Sequence, residues 1–577
     1  MRTHSMGNRR VMMALLLGLV LAAPWPAARL EGAAGHPVRA RRGMVVSSHY
    51  LASQVGVEIL KKGGNAVDAA IATGFALAVT HPGAGNIGGG GFLIARMTNG
   101  EARAFDFREK APAAAHPRMF LDEKGEYDEI KHHDSWLAVG VPGTVAGFFL
   151  AHSKLGKLPM SELIAPAVRL AEEGFPLSWK MAADFRDSAE DFQKYPGSAK
   201  QFLKDDGFYE ADEIWKQPDL ARTLQRIQQQ GRDGFYKGET ARLLAAGMKA
   251  GGGLITEADL AAYEAKERTP LRGSYRGHEI ISMPPPSSGG AALITMLNIL
   301  EGYELREAGF GSATHLHLLA EAMRRAFADR ARWVGDPEFN PELPLARLTS
   351  KEHAANLRAR ISLTHASVSD AARFNDAIES EETTHYSVMD ADGNAVVVTY
   401  TIEAWFGSKI VAPGTGFLLN NEMGDFNPVP GLTDETGKIG TAANLVAPGK
   451  RMISSMTPAI VVKDGKPLLL IGSPGGRTII NTVAQVIVNV VDFGMDVAEA
   501  IEAPRIHHQW LPDRLNIERY GASPETLARL RSMGHEVRVS NSSRSQGRAM
   551  GIYLDAKSGV RMGASDPRDA DGAAIGY

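Results

Sequence analysis

Cysteine is absent from all 577 residues. That one absence excludes disulfide staples, a thiol nucleophile, thiolate metal sites and a lipid-modified cysteine. Charge of one sign is also lacking: the net charge is −3, and no long basic run follows the first residues, so the chain has no electrostatic footprint for nucleic acid. Long apolar runs are scarce too. The one near the start, Val11 to Ala23 ("VMMALLLGLVLAA"), is too short to span a bilayer comfortably. Internal repeats and low-complexity linkers do not occur, which argues for one interleaved fold rather than separable beads.

What is present begins with an export signature. Arg2, Arg9 and Arg10 precede the apolar run, and "PWPAARLEG" supplies small residues for a signal peptidase, with cleavage expected near Ala28. Residues 1–28 therefore read as a signal peptide with no stable membrane anchor. The expected destination is a bacterial periplasm or the medium. Composition is 44% hydrophobic and 22% charged, enough for a large core, and without disulfides an exported chain of this size must rely on that core.

Along the chain, "MVVSSHYLASQVGVEILKKGGNAVDAAIATGFALAVTHP" reads as two helices separated by Gly63-Gly64, followed by a glycine run entering a strand. Residues 161–301 read as mostly helical, and "HLHLLAEAMRRAFADRARWVG" as another amphipathic helix. Strands are expected chiefly after Thr383, in the last third.

At "EETTHYSVMDADGNAVVVTYTIE" an acidic run breaks into two strand patterns around the turn "DADGN". Pairing Met389 with Ala395 in an antiparallel hairpin sets Thr383 opposite Thr401, and period 2 puts Thr399, Thr401 and Glu403 on one face. A slip of one residue would undo the pairing. Two readings stand at this point. Threonine is a good strand former, so the pair is ordinary sheet, or Thr383 is a nucleophile. A threonine hydroxyl needs a base beside it, and a free α-amine on the same residue, with a pKa of about 7.7–8.0, serves that purpose. Such an amine exists only if the chain is cut between Glu382 and Thr383.

Other signals are weaker. "IGGGGF" lacks the Lys-Ser/Thr of a phosphate loop. His132-His133-Asp134 and His507-His508 suggest metal, but adjacent histidines in a strand face opposite ways. His315 and His317 do not share a helix face. No metal and no cofactor is expected.

From about Gly43 to Tyr577 the chain resembles the γ-glutamyltransferases of the N-terminal nucleophile hydrolase superfamily. The motifs are "GGNAVDAAIA", "NIGGGGF", "DFREKAP", "GVPGTVAG", "PPPSSGG", "TTHYSV", "GFLLNNEMGDF", "SSMTP" and "GSPGG". The resemblance implies a four-layer αββα sandwich and self-cleavage before Thr383, into a large subunit (29–382) and a small one (383–577) that stay associated as a heterodimer. It implies transfer of the γ-glutamyl group of glutathione and related amides to water or to amino acid or dipeptide acceptors, through an ester on Thr383. Thr401 supports the nucleophile. Arg108, Ser454 and Ser455 hold the substrate's α-carboxylate, and Glu403, Glu422 and Asp425 its α-ammonium. Gly475 and Gly476 form the oxyanion hole. Glu403 departs from the asparagine of many members. The long loop "PVPGLTDETGKIGTAANLVAPGKR" is expected to cover the glutamyl pocket, with Thr436 where some relatives carry an aromatic gate.

Rival readings are a glutaryl-type acylase of the same superfamily and an inactive periplasmic binding protein. The amine pocket discriminates the first, and the intact Thr383, Thr401, Arg108 and glycines speak against the second. Glu403→Gln is expected to improve binding of des-amino glutaryl compounds relative to γ-glutamyl ones by about tenfold, the worth of one charge-assisted hydrogen bond. An unchanged ratio of inhibition constants would refute its assignment to the amine.

Overall fold

The computed structural model describes residues 35–370, 383–427, 429, 431, 441–541 and 546–577. Residues 35–577 make one compact unit. The signal peptide, Glu382 and Thr436 lie outside the described residues.

Two seven-stranded antiparallel sheets stack face to face. Their strands are β1 (Val38–Ala40), β2 (Met44–Ser47), β3 (Gly90–Arg96), β4 (Ala102–Asp106), β5 (Lys266–Arg268), β6 (Leu271–Tyr275), β7 (His278–Ser282), β8 (Thr384–Met389), β9 (Ala395–Thr401), β10 (Ala459–Lys463), β11 (Lys466–Gly472), β12 (Met550–Leu554), β13 (Arg561–Ser565) and β14 (Ala573–Gly576). One sheet runs β14-β2-β8-β9-β3-β4-β5, and the other β1-β13-β12-β11-β10-β7-β6. Helices α1 (Tyr50–Lys61) and α2 (Ala66–Thr80) cover the first sheet, while α3 (Gly289–Leu300) and α4 (Thr478–Val491) cover the second. The expected four-layer αββα sandwich is therefore what the chain forms.

Local chemistry accounts for these elements. Asn65 caps α2 through a reciprocal box with Asp68, and the small residues of "AVDAAIATGFALAVT" let every residue of that helix be buried against its neighbours. In β8 and β9 the side chains alternate between two cores. Tyr386, Val388, Val396, Val398 and Tyr400 face the α1/α2 layer, whereas Met389, Ala395 and Val397 face the space between the sheets. Tyr400 also donates from its hydroxyl to Gly74 O of α2 at 3.0 Å.

Strands are denser after Thr383, as expected, but half of the strands of the two main sheets, β1 to β7, precede it. "KER", "LRGSY" and "HEIIS" are short and mixed in polarity, so their sequences carry little of the β-branched alternation that marks a strand. "MVVS" likewise forms β2 rather than opening the first helix. No helix among the described residues is long and apolar enough to cross a membrane.

The glycine run has a packing purpose. At Gly89 a Cβ would collide with the Thr401 carbonyl oxygen, and at Gly91 with the backbone of Thr399 and Tyr400. Here β3 and the chain leading into it press against β9 at a distance that no side chain allows. Gly89→Ala is expected to destabilise the fold by about 1–3 kcal/mol through overpacking. The check is a denaturant titration, and an unchanged midpoint would mean that the strand end relaxes freely.

Candidate active site

The hairpin register is the one read from the turn. Met389 lies opposite Ala395, and pairing continues to Thr384 opposite Tyr400. One step further sets Thr383 across from Thr401, and both side chains fall on the inter-sheet face. Both residues are almost fully buried. Thr401 Oγ1 accepts the Glu403 N–H at 2.8 Å, and its carbonyl accepts from Asn86 Nδ2 at 2.9 Å. Asn86 Oδ1 in turn accepts from Gly89 N (3.0 Å) and Thr144 Oγ1 (2.7 Å), so one amide staples the end of β9 to the glycine run. On the same hairpin, Thr384 Oγ1 and Ser48 Oγ are hydrogen-bonded at 2.6 Å. Past the end of β9, Glu403 takes a left-handed backbone, φ 78°. For a non-glycine residue this costs on the order of 1–3 kcal/mol and is characteristic of functional sites.

Arg108 is wholly buried, not the surface arginine that composition alone would favour. Its guanidinium donates to Ile453 O at 2.9 Å, pairs with Glu422 and Asp425, and lies 3.4 Å from Glu109. Its backbone is fixed as well: Arg108 N donates to Asp106 Oδ1 (3.0 Å), and Arg108 O accepts from the Tyr263 hydroxyl (2.8 Å). Asp106 is paired with Arg268 and Arg451, so it does not neutralise the Arg108 side chain.

The carboxylates of "NNEMGDF" are buried, where loop carboxylates ordinarily stay solvated. They sit on the short 3-10 turn Glu422–Asp425, anchored by Glu422 N to Asn420 Oδ1 (3.1 Å) and by Asn444 Nδ2 to Asp425 O (2.7 Å). Burial pushes the Glu422 carboxyl well above its usual range, with Arg108 opposing. Burial likewise lifts Glu109 to about 8, again against Arg108. Glu403 Oε1 lies 3.8 Å from His133 Nδ1. One guanidinium thus faces several carboxylates, and the pocket favours an additional cation.

Opposite lies the loop "SSMTP". Ser288 holds it through hydrogen bonds from its N–H and hydroxyl to Ser454 O, at 2.7 and 2.6 Å. Arg330 reaches Ser288 Oγ (2.7 Å) and Ser455 Oγ (3.1 Å). "PPPSSGG" is therefore the support of the serine loop. Gly475 and Gly476 have φ of 125° and 53°, and they turn the chain into α4 just ahead of its first intrahelical bonds, where amide N–H groups lack helical acceptors.

One cleft, with about 250 Å³ of empty space, is lined by nine of the eleven residues singled out from sequence. Of the other two, Gly475 adjoins the lining Gly476, and Glu382 lies outside the described residues. Sequence reasoning missed Asn86, Glu109, His133 and Arg330. Asn86 lies inside a quoted motif and Glu109 beside Arg108, so adjacency could have flagged both. No local pattern marks Arg330 on its helix. His132 and His133 are not strand residues facing apart: they end the helix Glu129–His133 with rings 4.4 Å apart. His132 bonds Tyr127 and Met423 O, and His133 approaches the pocket.

Away from the cleft, His317, Glu321 and His535 bring ligand-type atoms within 4.8 Å of one another. Glu321 is already engaged by Arg325 and Ser367, and His317 by His535 and Ser362. These contacts make a structural network. The loop between Asp425 and Ser454 is described at 441–451, where Asn444 also accepts from Ile453 N at 2.9 Å and so ties the loop to the serine segment. Residues 428, 430 and 432–440 lie outside the described residues.

A sandwich of this topology, with a threonine at the start of an inner strand beside a buried cleft, defines an N-terminal nucleophile hydrolase. The family follows from comparison. The model described as Gamma-glutamyltranspeptidase matches residues 52–576, and the chain belongs to that family. It is 48% identical over 545 residues to the glutathione hydrolase proenzyme of Escherichia coli K12, covering 94% of this chain and 93% of that protein. It is also 41% identical over 508 residues to the Acylase ACY 1 proenzyme of Pseudomonas sp. SE83, covering 87% and 88%. Among solved structures, cephalosporin acylase from Bacillus halodurans superposes with a TM-score of 0.82 at 28% identity, covering 96% of this chain and 98% of that one.

Glu109 yields a pH test. Its folded pKa lies above the unfolded value, so folding favours the protonated form. That contribution is complete below about 4.3 and is lost as pH rises towards 8. Glu109→Gln should remove a stability slope of up to about 1.4 kcal/mol per pH unit across that window. Thermal midpoints at several pH values would show it, and parallel wild-type and variant curves would mean that Glu109 is ionised throughout.

Proposed function

We propose that the chain is a γ-glutamyltransferase that also hydrolyses glutathione, exported to the periplasm and matured by its own cleavage between Glu382 and Thr383. The observation that carries this reading is the convergence on one cleft of Thr383, Arg108 and the buried carboxylates Glu403, Glu422 and Asp425.

A γ-glutamyl head bears a carboxylate and an ammonium on one carbon. Arg108 offers a forked donor to the first, joined by the hydroxyls of Ser454 and Ser455, while the neighbouring carboxylates offer acceptors to the second. Maturation proceeds by attack of Thr383 Oγ on the Glu382 carbonyl. The peptide bond becomes an ester, and water hydrolyses it, leaving a free α-amine on Thr383. In turnover that amine takes the proton from Oγ as Oγ attacks the γ-amide carbon, and delivers it to the departing amine. The Gly475 and Gly476 amides hold the oxyanion, each worth about 10²–10³ in rate. Water or an acceptor amine then cleaves the γ-glutamyl ester on Thr383. Residues 29–382 and 383–577 are the resulting subunits.

The similarity to acylases favours one second reading, hydrolysis of a glutaryl amide. A glutaryl group has no ammonium, so it would leave the buried carboxylates with Arg108 as their one cation. That asymmetry supports the transferase. The test is release from a γ-glutamyl anilide against a glutaryl anilide, with and without glycylglycine. Faster γ-glutamyl release, stimulated by glycylglycine, is expected, and faster glutaryl release would overturn the reading. On a denaturing gel the mature wild type should give two bands. Thr383→Ala should give one, with activity lower by at least about 10³-fold; a single band from the wild type would overturn processing.

A further inference from the structure

A second cleft is lined by Trp405, Lys180, Asp184, Arg548, Asp569 and Asp571 among others. None of these has a role in holding the glutamyl head. Covalent continuity ties the cleft to the reacting centre from three sides. Trp405 is two residues beyond Glu403. Arg548 follows Gly547, whose backbone packs against the Gly475 turn. Asp571 O accepts from Tyr50 N at 2.9 Å, two residues from the Ser48 hydroxyl that bonds Thr384.

Its chemistry is that of a peptide terminus. Lys180 Nζ and the Arg548 guanidinium lie 5.0 and 5.7 Å from the Trp405 ring centroid, so two cations flank one indole. Lys180 pairs with Asp184 at 2.6 Å, and its ammonium retains further donors. Asp569 Oδ2 is shielded from solvent, although other atoms of the residue remain accessible, and has no hydrogen-bond partner. A buried acceptor without a donor is costly unless a ligand supplies one. Burial lifts the Asp569 carboxyl to about 6.

We propose that this cleft is the subsite for the peptide on the far side of the scissile bond, both the departing dipeptide and the acceptor. Its ligand is a short peptide with a free C-terminal carboxylate and a backbone N–H. The carboxylate lies against Lys180 and Arg548, the N–H donates to Asp569 Oδ2, and the chain rests on Trp405. The peptide's amine then points at the Thr383 ester. Its nitrogen forms a bond to the ester carbonyl carbon, the bond from that carbon to Thr383 Oγ breaks, and the proton shed by the amine returns to Oγ. This assignment rests on the γ-glutamyl transfer reading above.

The experiment uses the processed enzyme, a γ-glutamyl anilide as donor, and glycylglycine or glycylglycinamide as acceptor. Lys180→Met and Arg548→Met should each raise the acceptor KM for glycylglycine by about tenfold and leave that for the amide within about twofold. Asp569→Asn should raise both acceptor constants. Acceptor constants indifferent to these changes in an enzyme that still releases anilide would overturn the subsite alone, as would equal increases for the two acceptors in Lys180→Met. A wild type that releases no anilide would overturn the parent reading and the subsite with it.

Discussion

The site depends on one buried cation among several carboxyl groups. Arg108 touches Glu109, Glu422 and Asp425 in a region with almost no solvent. A guanidinium so placed is tolerable only while its partners remain, because removing one member of a buried pair typically costs about 3–5 kcal/mol. The surroundings spend many contacts on holding it: Tyr263, Asp106 and the carbonyl of Ile453 bind its backbone and side chain, and Arg268 and Arg451 hold Asp106. The result is a fixed positive point inside a shell of carboxyl groups whose ionisation burial resists. Such a shell selects for a ligand carrying both charges close together, and a zwitterionic amino acid head is the smallest such group.

The sandwich explains why the reacting threonine can stand at the start of a buried strand. β8 is bonded on one side to β2 and on the other to β9. Seven strands before Thr383 and seven after it are mixed within both sheets. A cut ahead of Thr383 would sever the chain without severing a single described strand pairing. Both pieces would be held by the same ladders and the same core.

How much was legible beforehand follows from the range of the interactions. The hairpin could be read from "DADGN" and the apolar alternation, because both lie within about twenty residues, and its register placed Thr383 against Thr401. Arg108, the serines and the glycines were reached through motif resemblance, since nothing local distinguishes a buried arginine from a surface one. β5 to β7 were illegible because their strand character comes from neighbours far along the chain rather than from β-branched residues. Arg330 and Asn86 belong to the same kind. Each matters through contacts made across more than forty residues, with Ser288 and Ser455 in one case and with Thr401 and Thr144 in the other.

Glu403 and Trp405 show how two clefts can share one rigid element. After β9 the chain turns through left-handed residues at Glu403 and Phe406, with φ of 78° and 64°. Strain of that kind persists only where the surroundings over-determine it. Here Thr401 Oγ1 accepts Glu403 N, Asn421 Oδ1 accepts Ala404 N at 3.1 Å, and Gly83 O accepts Phe406 N at 2.9 Å. The Phe406 ring is packed against Phe185, Phe192 and Phe202. Because the turn is pinned at every step, the Glu403 carboxylate in one cleft and the Trp405 indole in the other keep a fixed separation. A donor head and an acceptor peptide bound on either side would then meet at Thr383 with little further loss of freedom, which is how positioning lowers the barrier to a two-substrate transfer.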